Sequence, residues 1–224
     1  MTAGSGDGSP FHHSSRRRFA GRLIQALGKQ EMSTPKIVFV PVIVWPSVLN
    51  PPSTVEQGFL PVSEVSTETL PALVAQHLRL LREHGEPIES TCPLFGGLVL
   101  EVGGRRVLYP QCCGDLSDIS TWMEVLNHDF QSGFVALSGH PCPEVIRRGA
   151  QIEIICQDDD EAFYPLVENP ITMSFSDFQL ALERANQELF ALSQRIAVCS
   201  TLEDSAELSD LLVFGEAHRV GFSP

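Results

Sequence analysis

"LFGGLVLEVGGRRVLYP", residues 94–110, reads as two strands meeting at Gly103-Gly104. Apolar runs flank the pair, and two glycines supply the positive φ angles of a primed two-residue turn, whose twist matches that of the strands it joins. A second pair, Gly96-Gly97, stands inside the first arm, where glycine marks a bulge or the close approach of another backbone. A hairpin is antiparallel by construction. The rest of the chain offers further short strands rather than repeated strand–helix crossovers. The expected fold class is therefore α+β: a mostly antiparallel sheet with hairpins, packed against two or three helices including a long C-terminal one.

Upstream of the hairpin, "IVFVPVIVW" (37–45) reads as a strand. Pro41 has no N–H to give a ladder, so an edge position or a bulge is expected. A proline-rich loop follows. "TETLPALVAQHLRLLREHG" (67–85) then reads as one helix, capped by Ser66 or Thr67, with Pro71 in its first turn and Gly85 closing it. Leu70, Leu73, Val74, His77, Leu78 and Leu81 share one face, and His77 is expected as a satisfied histidine at the core boundary.

Downstream, "SDISTWMEVLNH" (117–128) reads as a short helix. "GFVALSG" (133–139) and "AQIEIICQ" (150–157) read as strands joined by "HPCPEVIRRG". The long helix is "FSDFQLALERANQELFALSQRIAV" (175–198), where Ser176 and Gln179 form a capping box and Phe175 and Leu180 a hydrophobic staple. Phe178, Leu182, Ala185, Leu189, Leu192 and Ile196 recur at helical spacing. Such a stripe packs on a core, or forms the seam of a homodimer through the 176–197 helix. "LEDSAELSDLLVFG" (202–215) adds a short helix.

Charge divides the chain. Residues 1–36 hold six bases and two acids; residues 37–224 hold nine bases and twenty-six acids, a net of −17. Residues 1–34 are expected to be a disordered extension, or to precede a native start at Met32, with 35–224 as a single α+β domain. "SRRRFA" (15–20) has the paired arginines of an export signal, but no apolar run follows at the right distance. The apolar run at 37–45 is too short to span a bilayer, so no membrane association is expected. An acidic body repels phosphate backbones, which argues against nucleic acid and for a basic partner.

The six cysteines form no C-x-x-C pair and no dense framework. That usage fits a reducing cytoplasm, with thiols acting as small apolar groups. "YPQCCGDLSDISTW" (109–122) invites three readings. As a metal site, Cys112 and Cys113 would join His128, His140 and Cys142, but adjacent cysteines diverge and zinc ligand pairs normally stand further apart. As a nucleophile, Cys112 or Cys113 near a helix start would use His140 or His128 as base, oriented by Asp115 or Asp129, in a small hydrolase or transferase. As structure, one thiol turns inward, Gly114 provides a positive φ, Asp115 or Ser117 caps the helix, and Asp118 sits well at its N-terminal end.

The structural reading uses every residue, and no cofactor motif occurs. "QDDDE" (157–161) lacks the glycine and distal glutamate of a calcium loop and reads as a solvated acidic loop. The expected function is that of a non-catalytic intracellular binding protein with an acidic surface. One version is a toxin-neutralising immunity protein facing a basic partner. The alternative is the cysteine-dependent enzyme using Cys112 or Cys113 with His140.

Overall fold

The hairpin forms around its two glycines. β3 (Gly96–Val102) turns at Gly103 (φ 61°) and Gly104 (φ 80°) into β4 (Arg105–Leu108), both angles positive as a primed turn requires. β1 (Ile37–Val44) pairs antiparallel along the whole of β3, from Ile37 opposite Val102 to Ile43 opposite Gly96. On its other side lies β2 (Phe59–Pro61), giving a four-stranded sheet in the order β2-β1-β3-β4. The structure is a computed structural model that describes residues 36–134, 139–199 and 205–215.

β1 is thus an inner strand, not the edge that Pro41 suggested. The proline is tolerated because β2 is short. Its pairing with β1 ends at Val42 opposite Pro61, so Pro41 lies just beyond it. Gly96 marks the expected close approach: a Cβ there would stand 2.0 Å from the Val42 carbonyl oxygen.

The remaining strands build a second antiparallel sheet, where the sequence suggested one. β5 (Ser132–Phe134), β6 (Glu144–Arg148), β7 (Gln151–Ile155) and β8 (Ile171–Ser174) pair in chain order. Most of the strand expected at 133–139 lies outside the described residues. β6 falls inside the stretch read as a connection.

The helix expected over 67–84 is two, α1 (Leu70–His77) and α2 (Arg79–His84), parted at Leu78. Ser66 Oγ accepts from the Thr69 N–H (3.2 Å), and Gly85 ends α2 at φ 69°. The His77 ring is bonded to the Cys92 carbonyl (2.9 Å). The short helix is a 3-10 turn at 116–118 running into α3 (Ile119–Glu124).

α4 (Phe175–Cys199) carries the core. Its cap is Ser174, not Ser176: the Ser174 hydroxyl accepts from the Asp177 N–H (3.0 Å) and donates to the Asp177 carboxylate (2.6 Å). The expected staple does not form this end, since Leu180 is exposed and Phe175 lies under the Arg147 guanidinium at 3.8 Å. All six residues of the stripe are buried within the chain. They meet β1 on the first sheet and β7 and β8 on the second, with Phe39 against Phe178 (5.5 Å) and Trp122 (5.1 Å). α5 (Ser205–Phe214) packs on α4, and the Ser193 hydroxyl there donates to Asp210 (2.9 Å).

A homodimer seam on α4 would therefore have to use its outer side, where Leu180, Phe190 and Val198 are exposed. Residues 1–34 and Met32 lie outside the described residues. Among the described residues no helix is long and apolar enough to cross a membrane.

Candidate functional site

Where β4 ends, the chain runs through 109–116 between two neighbours. On one side, the Gly96 N–H donates to the Gly114 carbonyl (3.0 Å) and the Leu116 N–H to the Leu94 carbonyl (3.0 Å). On the other, Cys112 and His140 exchange both backbone bonds (3.3 and 2.9 Å). Gly139 makes this possible, since a Cβ there would stand 2.2 Å from the Cys112 carbonyl oxygen.

A loop over 157–170 covers the same region, and two side-chain amides hold it. Asn169 accepts from the Cys156 N–H and donates to the Cys156 carbonyl, both at 2.7 Å, closing the neck. Gln111 accepts from the Tyr164 N–H (3.0 Å) and donates to the Tyr164 carbonyl (3.1 Å), fixing the far end. Each amide mimics a strand residue by satisfying both backbone groups of its partner.

Between this loop, the end of the first sheet and the Cys112–Cys113 turn lies a cleft of about 520 Å³. Val44, Phe59, Phe95, Tyr109, Tyr164 and Pro165 make most of its wall apolar or aromatic, and Cys112 and Cys113 open into it. Phe95, Tyr164 and the nearby loop residue Leu166 are exposed, Leu166 at 91%. Large apolar side chains grouped at a concave surface are a usual mark of a binding site.

The surroundings of the cleft are acidic. The Tyr109 hydroxyl donates to Glu56 (2.7 Å), which also pairs with Arg106 (2.7 Å). Asp158, Asp159, Asp160 and Glu161 are exposed on the loop. The N–H groups of Asp160 and Glu161 bond the Asp158 carboxylate (2.9 and 3.1 Å) and hold it below the usual carboxylate range, helped by His140. Glu161 stands near enough to Cys112 to help raise its thiol, after the larger effect of the Cys113 sulfur.

The candidate residues sort as follows. Cys112 and Cys113 come together with sulfurs 3.3 Å apart, and both are exposed, so neither turns inward. The left-handed residue is Cys113 (φ 68°), one position before Gly114. His140 meets Cys112 through the backbone, while its imidazole acts on Asp158. Cys142 donates its S–H to the Gly139 carbonyl (2.6 Å).

Asp115 caps the 3-10 turn, accepting from the Ser117 N–H (2.8 Å) and hydroxyl (2.6 Å). His128 and Asp129 form an exposed contact at 4.0 Å. Asp118 differs most from expectation. It is buried, and burial, with Asp115 beside it, pushes its carboxyl up to about 8. Charge against the helix dipole is therefore not what keeps it there; it completes the capping box by accepting from the Asp115 N–H (3.2 Å). Among the described residues, no three His, Cys, Asp or Glu side chains gather as a metal-holding group.

Sequence reading missed the two amide clamps, because an isolated Gln or Asn carries no spacing signal. The aromatic rim was visible only as "FYPLVENP", with no cue that it would meet Phe95 across a cleft. Fold and site together define an α+β protein with an apolar cleft bordered by acids. No family model matches the chain, and no match is found among curated proteins or solved structures.

Proposed function

We propose that the protein is a non-catalytic binding protein that takes a basic segment of a protein partner into this cleft, inside the cell. The observation that carries the reading is the pairing of an aromatic wall with an acidic border. Asp158, Asp159, Asp160 and Glu161 are consecutive and exposed, with no base between them. An aromatic or aliphatic anchor would fill the cleft, and flanking Lys or Arg would meet the acids. Long-range attraction from a body of net −17 would speed encounter with such a partner. A toxin-neutralising protein is one role of this kind.

The test uses a synthetic Lys/Arg-rich peptide carrying one Trp, titrated by fluorescence anisotropy at low and high salt. Binding that weakens with salt, and weakens again when the peptide Trp becomes Ala, is the expected result. An affinity indifferent to both changes overturns the reading.

A cysteine-dependent enzyme is the second reading, favoured by two thiols opening into the cleft. The placement of the groups weighs against it: the Cys113 neighbour raises the Cys112 thiol, and His140 meets Cys112 through its backbone. An activated ester decides between them. A burst of product abolished by Cys113→Ser would establish the enzyme, and hydrolysis at the rate of the Ser variant would exclude it.

A further inference from the structure

We propose that Cys112 and Cys113 are a reversible redox site, which a peroxide closes into a vicinal disulfide in the wall of the cleft. The two sulfurs already touch at 3.3 Å, and both side chains are exposed. Their convergence is built into the backbone. Cys112 is tied to His140 by two hydrogen bonds, the Gly114 N–H donates back to the Gln111 carbonyl (3.3 Å), and Cys113 is held at φ 68°. A non-glycine residue in the left-handed region persists only where its surroundings impose it.

The other cysteines are placed differently. Cys156 is buried and its thiol is pushed up to about 12, Cys92 lies beside His77, and Cys199 ends α4. A sulfur in contact with a second sulfur is the arrangement of a peroxidatic thiol and its resolving partner.

The chemistry balances. The Cys113 sulfur attacks a peroxide oxygen, the O–O bond breaks, and a sulfenic acid and one water result. The Cys112 sulfur then attacks the Cys113 sulfur. The S–O bond breaks, and hydroxide leaves with the Cys112 proton as a second water. Two thiols and one hydrogen peroxide thus give one disulfide and two waters.

The bond that forms is a weak one. Adjacent α-carbons are about 3.8 Å apart across a trans peptide, below the ~4.4–6.8 Å that a relaxed disulfide spans. The strain makes the bond easy to reduce, as a switch needs and a structural staple does not. The pair also sits between the two anchors of the cleft, Gln111 holding Tyr164 and Gly114 holding Gly96. Closing it would alter the wall against which any occupant rests.

The test treats the reduced full chain with hydrogen peroxide and maps it by mass after digestion at acidic residues, which parts Cys142 from the pair. The expected product is a peptide holding both cysteines and lighter by two hydrogens, restored by dithiothreitol. Cys112→Ser and Cys113→Ser should each abolish it, while Cys92→Ser and Cys142→Ser should leave it. Oxygen added to either sulfur without ring closure, or a disulfide from either to another cysteine, overturns the proposal. The readout is independent of any partner, so its failure and that of the binding reading are separate results.

Discussion

One side-chain amide, that of Gln111, meets both backbone groups of Tyr164 and so decides where an aromatic wall of the cleft stands. Gln111→Ala removes both bonds and a third, which the same amide donates to the Tyr109 carbonyl (2.7 Å). With each worth about 1 kcal/mol net, the variant should lose about 2–3 kcal/mol in urea unfolding. It should also be cut faster within 157–168 by a dilute protease; unchanged cleavage would show that the loop is held by other means.

Asp118 makes a prediction in pH. Burial pushes its carboxyl up to about 8 in the folded protein, against 3.8 for a free side chain. The folded state therefore holds the proton more tightly. Its contribution to stability is full below about 4, falls as pH rises towards about 8, and is level beyond. Asp118→Asn keeps an oxygen for the Asp115 N–H but cannot ionise. Its stability relative to the parent should rise steadily across that window in urea unfolding, and parallel curves would contradict the assignment. The place of Asp118 in the first turn was legible in the sequence, but its burial was not, and nothing marked Gln111. A carboxylate in the first turn of a helix reads as a surface charge until the packing above it is known, and "CCGD" says nothing of which sulfur faces outward.

At the scale of elements, legibility followed local chemistry. The β3–β4 hairpin was readable because Gly103-Gly104 satisfies one turn type on its own. α4 was readable because its apolar stripe is long and regular, and α5 because Leu208, Leu211 and Leu212 recur at helical spacing. β2, β6 and β8 were not, being three to five residues long with partners that only the tertiary fold supplies. The cap of α4 was misplaced by two residues because Ser174 and Ser176 both precede an acceptable partner. The stripe itself predicts an asymmetry. Leu189→Ala, at a fully buried position, should cost about 2–5 kcal/mol, whereas Phe190→Ala, half exposed one residue on, should change stability by less than about 1 kcal/mol. Equal losses in urea unfolding would mean that the outer side of α4 is also covered, as a dimer would require.

Over the whole molecule, charge and shape point to the same place. The acid excess was plain in the sequence, but its bearing on a cleft was not, since the loop at 157–170 is tied beside the Cys112–Cys113 turn by the Gln111 amide, which carries no spacing signal. Neutralising the loop with Asp158→Asn, Asp159→Asn, Asp160→Asn and Glu161→Gln should slow association with the basic Trp peptide and flatten its salt dependence, measured by stopped flow. The dissociation rate should change less, because the aromatic wall is left intact.

The most direct measurement is hydrogen exchange of the full chain with and without that peptide. The account predicts slower exchange at 56–59, 95–96, 109–114 and 157–168, with the outer side of α4 unchanged. Protection confined to other segments, or none at a peptide concentration that saturates the anisotropy signal, would contradict it.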